Sequence, residues 1–212
     1  MADVICLTFN PFQENTYIVY DETGECVIFD PGCINADEEQ KLAKIITDKN
    51  LKPVKFINTH CHLDHVFGNK FVADTYDLPL GIHKGELIVL ESVPAVCKAY
   101  GLPLPIPSPM PEYFIEEGEI ISFGNSELKV LFTPGHSPAS LCFYNSKDAF
   151  IIAGDVLFRD SIGRTDLPGG DHQTLLDSVK TQLFVLPDDV EVWPGHGPST
   201  KIGYERDHNP FF

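Results

Sequence analysis

Thr59-His60-Cys61-His62-Leu63-Asp64-His65 is the stretch that decides how this chain is read. It packs three imidazoles and a carboxylate into six consecutive positions, His60 to His65. A core has no use for so many polar rings, and a solvated face has no reason to concentrate imidazole. Imidazole nitrogen and carboxylate oxygen are natural donors for zinc, iron and manganese. The preceding Val54-Lys55-Phe56-Ile57-Asn58 reads as a short buried strand, so the cluster starts where a strand ends. A loop held by a rigid strand can aim its side chains at one point. His60 and His62 can face one ion, and Asp64 and His65 a second beside it.

Three more segments share that format: an apolar run, a small residue or Gly/Pro, then a donor. They are Leu128-Lys129-Val130-Leu131-Phe132-Thr133-Pro134-Gly135-His136, Ala149-Phe150-Ile151-Ile152-Ala153-Gly154-Asp155 and Val190-Glu191-Val192-Trp193-Pro194-Gly195-His196. Glycine before the donor lets backbone pack closely or turn with unusual φ. Singly each segment is unremarkable. Together with the first motif they predict donors gathered from four strand ends.

At this point the chain resembles the metallo-β-lactamase superfamily, through His60-x-His62-x-Asp64-His65 followed by His136, Asp155 and His196. The resemblance implies a mixed α/β fold, a four-layer αββα sandwich, formed by residues 1–212 as one domain. It implies two divalent ions, zinc first, with iron or manganese compatible. One ion is expected on His60, His62, His136 and Asp155; the other on Asp64, His65, Asp155 and His196, with Asp155 bridging. Gly154-Asp155-Val156-Leu157-Phe158 and Gly163-Arg164-Thr165-Asp166 look most like the glyoxalase II (hydroxyacylglutathione hydrolase) and persulfide dioxygenase branch. The ending, from Gly197-Pro198-Ser199-Thr200 to Asn209-Pro210-Phe211, is similar to a short bacterial subgroup of glyoxalase II-like proteins.

Composition agrees with that reading. A chain of 212 residues can bury a large core. Its net charge of −16 argues against binding a nucleic-acid backbone, which needs cations to displace counterions. The six cysteines form no Cys-x-x-Cys pair and read as reduced thiols, which points to the cytoplasm. No apolar stretch reaches membrane-spanning length, and Met1-Ala2-Asp3 does not open a secretion signal. The exported, antibiotic-destroying members of the superfamily are therefore a poorer match.

Periodicity predicts strands over 4–9, 16–20 and 25–30, and a helix over 37–50. Further helices are expected over 64–76, over 84–100 with a break near Pro94, and from an Asp171 cap through Leu183. A hairpin is expected around Gly124-Asn125. Residues 101–111 hold five prolines and read as a stiff loop, either a connector or a wall of the substrate cleft.

Two ions roughly 3.5–4 Å apart can share a hydroxide and present it to a carbonyl. Asp64 and Asp155 are the catalytic carboxylates of this reading, offsetting charge and orienting the nucleophile. A thioester suits such a site because thiolate leaves without a strong general acid. No Gly-x-Ser-x-Gly elbow offers a serine nucleophile, and alternation points Cys61 away from the ions. Arg164 falls where glyoxalase II relatives carry a basic residue near glutathione, so it is a candidate carboxylate clamp. Its competing role is an ion pair with Asp160 or Asp166. The partner expected is a small-molecule thioester, with no nucleic acid and no membrane. The alternatives are a persulfide dioxygenase with one iron on His60, His136 and Asp155, then a lactonase or a metal-stabilised binding module. His83, His172 and His208 are assigned structural or surface roles.

Overall fold

The computed structural model describes residues 1–102 and 106–212. Two compact units emerge, each described by itself. The first comprises Met1–Ile82, Leu87–Phe114 and Ser122–Ser126; the second comprises His83–Glu86, Ile115–Ile121 and Glu127–Phe212.

A six-stranded sheet in the order β1-β2-β3-β4-β5-β6 organises the first unit. Its strands are β1 (Ala2–Phe9), β2 (Glu14–Asp21), β3 (Glu25–Phe29), β4 (Lys52–Ile57), β5 (Leu80–Ile82) and β6 (Tyr113–Phe114). The first three pair antiparallel, and β3 to β6 run parallel. Parallel neighbours need crossovers, and helices supply them here. They are α1 (Ala36–Asp48), α2 (Leu63–Val66), α3 (Asn69–Tyr76) and α4 (Leu87–Ala99). Asn35 caps α1 by accepting from the amides of Asp37 and Glu38, and acidic residues fill its first turn, where the helix dipole favours them. Ile18, Ile28, Leu42, Phe56, Val72 and Leu80 form the buried heart of this core.

The helix expected over 64–76 is instead two, divided at Phe67-Gly68. Gly68 donates its amide to Pro31 O at 2.7 Å, and a Cβ there would lie 2.3 Å from Cys33 Sγ. The close approach to that backbone turns the chain between the helices. The break expected near Pro94 does not occur, because α4 passes through that residue. Val89, Leu90, Val93 and Cys97 bury one face of α4 and hold it together across the proline. Within the proline-rich loop, 106–111 is irregular, and the part of that expectation falling on 103–105 lies outside the described residues.

The second unit is organised by the sheet β14-β13-β10-β9-β8-β7. The strands of that sheet are β7 (Ile120–Phe123), β8 (Ser126–Phe132), β9 (Leu141–Asn145), β10 (Phe150–Gly154), β13 (Glu191–Pro194) and β14 (Thr200–Lys201). A separate small hairpin joins β11 (Leu157–Phe158) to β12 (Ser161–Ile162). The parallel pair β10 and β13 is linked through α5 (His172–Ser178) and a π-helical turn, Val179–Leu183. Asp171 caps α5 as expected, accepting from Thr174 N at 2.8 Å. The last helix is α6 (Ile202–His208), whose Ile202 packs with Leu175, Val179, Val190 and Val192. Among the described residues no helix is long and apolar enough to cross a membrane.

Candidate metal centre

In the first unit the donor motif follows β4 directly. His60 and His65 are fully buried, whereas His62 and Asp64 are part-exposed. The His60 ring lies 4.8 Å from that of His62 and 4.1 Å from that of His65, centroid to centroid. Asp64 Oδ2 stands 3.9 Å from His65 Nε2. Hydrogen bonds to the protein fix these rings. His65 Nδ1 lies 3.1 Å from Asp30 Oδ2, and His60 Nδ1 lies 3.1 Å from Thr59 Oγ1. Thr59 Oγ1 in turn donates to Asp30 Oδ2 at 2.7 Å, and Thr59 N donates to Asp30 Oδ1 at 2.7 Å. A carboxylate can only accept, so His65 carries its proton on Nδ1. The Thr59 hydroxyl spends its proton on Asp30, so His60 does the same. Both rings therefore turn a lone pair outward on Nε2. Metal-binding histidines are oriented in this way.

Asp30 is the residue that the linear reading missed. It is buried at the end of β3 with φ +47°, in Phe29-Asp30-Pro31-Gly32. An aspartate before Pro-Gly at a strand end was the available signal. Glu14 lies nearby, its Oε1 3.9 Å from His65 Nδ1, and burial pushes its carboxyl well above the ordinary value.

The second unit carries its own donor set at three strand ends. His136 follows β8, Asp155 follows β10 and His196 follows β13. Gly195 N donates to Gly154 O at 2.7 Å, tying the last two ends together. Asp155 Oδ2 then stands 3.4 Å from His136 Nε2 and 3.5 Å from His196 Nε2, one carboxylate oxygen facing two imidazoles. His136 Nδ1 lies 2.7 Å from Arg164 O, which again assigns the proton to Nδ1 and leaves Nε2 as donor. Gly135 makes the turn into His136 at φ +129°, where a Cβ would meet Leu175 N at 2.3 Å. On the far side of His136, buried Glu86 accepts from Ser137 Oγ at 2.7 Å and from Ala139 N at 2.8 Å. Glu86 was also missed by the linear reading.

The Arg164 guanidinium forms a two-pronged pair with Asp166, at 2.7 and 2.8 Å, with the arginine side chain 57% exposed. Arg164 also lowers Asp166 to about 2, chiefly through these hydrogen bonds. Cys61 is fully buried in the apolar core of the first unit. Burial pushes the Cys26 and Cys142 thiols up to about 12 and raises Cys33 as well. None of the six cysteines forms a disulfide. His83 accepts from Gly85 N and packs on Phe132, and His208 stacks on Tyr204.

Comparison with known proteins matches residues 9–196 to the metallo-beta-lactamase superfamily, a span that ends on the last donor, His196. The probable metallo-hydrolase YqgX of Bacillus subtilis is 36% identical over 95% of this chain and 93% of its own length. The hydroxyacylglutathione hydrolase GloC of Haemophilus influenzae is 35% identical over 94% and 93%. Among solved structures, the BLEG-1 B3 metallo-beta-lactamase superposes with a TM-score of 0.90 at 38% identity, covering 99% of both chains. TTHA1623, solved in a di-iron-bound form, gives 0.87 at 39% identity, covering 98% of this chain and 100% of that one.

Proposed function

The chain belongs to the metallo-β-lactamase superfamily, and on that footing we propose that it hydrolyses small acyl thioesters of the hydroxyacyl-thiol kind. The observation that carries this reading is the tethering of His60, His65 and His136. Each has Nδ1 held by the protein, so that Nε2 is left to bind a metal. In this reading His60, His62, Asp64 and His65 of the first unit, and His136, Asp155 and His196 of the second, are the donors to two divalent ions. The His/Asp donor set suits zinc and iron alike. The similar protein TTHA1623 was solved in a di-iron-bound form, which supports counting iron beside zinc. Such ions supply a water that is nucleophilic at neutral pH and stabilise charge on the substrate oxygen.

The protein's own groups do the rest. Asp64 and Asp155 offset cationic charge and orient the attacking water. Asp30 and Thr59 hold the imidazole rings in one tautomer. Burial raises the Cys26, Cys33 and Cys142 thiols and so favours their protonated, weakly nucleophilic form. The thioester assignment rests on the likeness to GloC and on the absence of a strong general acid requirement for a thiolate leaving group. Arg164 is proposed to bind the far carboxylate of the substrate by exchanging its Asp166 partner.

Metal analysis of protein purified without added metal, combined with assay of S-lactoylglutathione, tests the reading. Two ions per chain and hydrolysis without oxygen uptake are expected. One iron with oxygen consumption on a persulfide would replace this reading with a dioxygenase.

A further inference from the structure

The first unit holds an apolar cavity of about 170 Å³ between α4 and the proline-containing coil 106–110. Val66, Leu87, Leu90, Val93, Ile106 and Met110 form its apolar walls. Resting on the thioester-hydrolase reading above, we propose that this cavity receives the acyl side group of the substrate, and that this group is apolar and benzene-sized.

Val66 follows the donor His65 directly in α2. Asn58 Nδ2 donates to His65 O at 3.0 Å, and Asn69 Nδ2 donates to Asn58 Oδ1 at 2.8 Å and to Ser108 Oγ at 3.2 Å. Ser108 lines the cavity. The cavity wall and the turn that aims His65 therefore belong to one hydrogen-bonded frame. A group seated in the cavity is held at a set offset from the donor turn.

Size and polarity decide the occupant. A cavity of about 150 Å³ lined by aliphatic and aromatic side chains stays dry and accepts benzene. A lactoyl methyl group leaves most of this volume empty, whereas a phenyl ring or branched chain fills it. Ile106 and Met110 stay 67% and 65% exposed beside the opening, an apolar mouth that a passing hydrocarbon group can cover. Glu91 is the ionisable residue among the described walls, so an acyl group ending in a carboxylate is repelled.

The test compares S-lactoyl-, S-mandeloyl- and S-succinylglutathione on the ion-loaded protein. Mandeloyl differs from lactoyl by phenyl in place of methyl, and succinyl adds a carboxylate. Apolar groups in a fitted pocket change kcat/KM by roughly 10–200-fold. The mandeloyl ester should exceed the lactoyl ester by about tenfold or more, with succinyl the slowest. Val93→Phe fills the interior, and Ile106→Glu places a carboxylate on the exposed rim with little risk to folding. Both should lower the mandeloyl-to-lactoyl ratio about tenfold. A ratio near one in the parent, or a ratio untouched by Ile106→Glu, overturns the assignment. Absence of turnover on all three esters overturns the hydrolase reading and this assignment with it. Turnover without the preference overturns this assignment alone.

Discussion

Asp30 Oδ2 lies 3.1 Å from His65 Nδ1, while both Asp30 oxygens also accept hydrogen bonds from Thr59. One buried carboxylate thus sets the tautomer of His65 directly and that of His60 through the threonine hydroxyl. Asp30→Asn preserves the shape but puts an amide N–H where an acceptor is needed. Loss of such an orienting partner costs about 10–100-fold in metal affinity. Competition with a chromogenic chelator should read a drop of that size, at a circular dichroism spectrum matching the parent. Parent-like affinity in Asp30→Asn would remove Asp30 from the site.

The linear reading found the donors because they lie in a short motif or directly after an apolar run and a glycine. These are local features, and β4, β8, β10 and β13 end where the patterns end. Asp30 and Glu86 escaped it because their partners lie 35 and 51 positions away, at His65 and Ser137. Only the packed chain shows that each is buried. The pairing of β5, β6 and β14 was also missed, since strands of two or three residues carry no readable alternation. The division of 64–76 depends on Gly68 touching Pro31 and Cys33, again a tertiary contact.

Asp155 Oδ2 faces His136 Nε2 at 3.4 Å and His196 Nε2 at 3.5 Å, so a single substitution reaches both. Asp155→Ala should purify without either ion, because the proposal assigns it to both and its charge offsets both. Elemental analysis of the dialysed variant decides. Two ions retained per chain defeats the bridging role.

Cys61 sits between two donors in sequence but in the apolar core in space. Cys61→Ala should keep thioester hydrolysis within a few-fold of the parent, whereas His60→Ala and Asp64→Ala should abolish it. Equal loss in Cys61→Ala and His60→Ala would assign the thiol a chemical part.

Glu86 is a fully buried carboxylate that holds Ser137 and Ala139 just beyond His136. Glu86→Ala leaves buried donors without that acceptor, at about 1–3 kcal/mol for each left unpaired. For a chain of this size each kcal/mol lowers Tm by about 2–4 °C. Calorimetry on the metal-free protein should therefore show a loss of several degrees, and an unchanged Tm contradicts a bracing role.

Arg164 has two roles in one residue: its carbonyl faces His136 Nδ1 at 2.7 Å, and its guanidinium grips Asp166. The backbone contact survives substitution, so Arg164→Ala isolates the side chain. The pair is largely exposed, and such pairs contribute little to stability. If the guanidinium exchanges Asp166 for a substrate carboxylate, Arg164→Ala should raise KM for S-lactoylglutathione about ten- to a hundredfold. It should lower kcat less, since a group holding the remote end binds ground and transition states alike. The Asp166 carboxyl provides an independent readout. Arg164 holds it at about 2, below the ordinary value of about 3.9. A carboxyl with a depressed folded pKa adds stability above its unfolded pKa and loses it as pH falls through the folded one. That acid-side contribution lies between about 4 and about 2 here, and Arg164→Ala should erase it while Asp166 titrates near its ordinary value in a carboxyl carbon NMR titration. A restored Asp166 titration with unchanged KM ends the clamp assignment and leaves Arg164 a partner of Asp166.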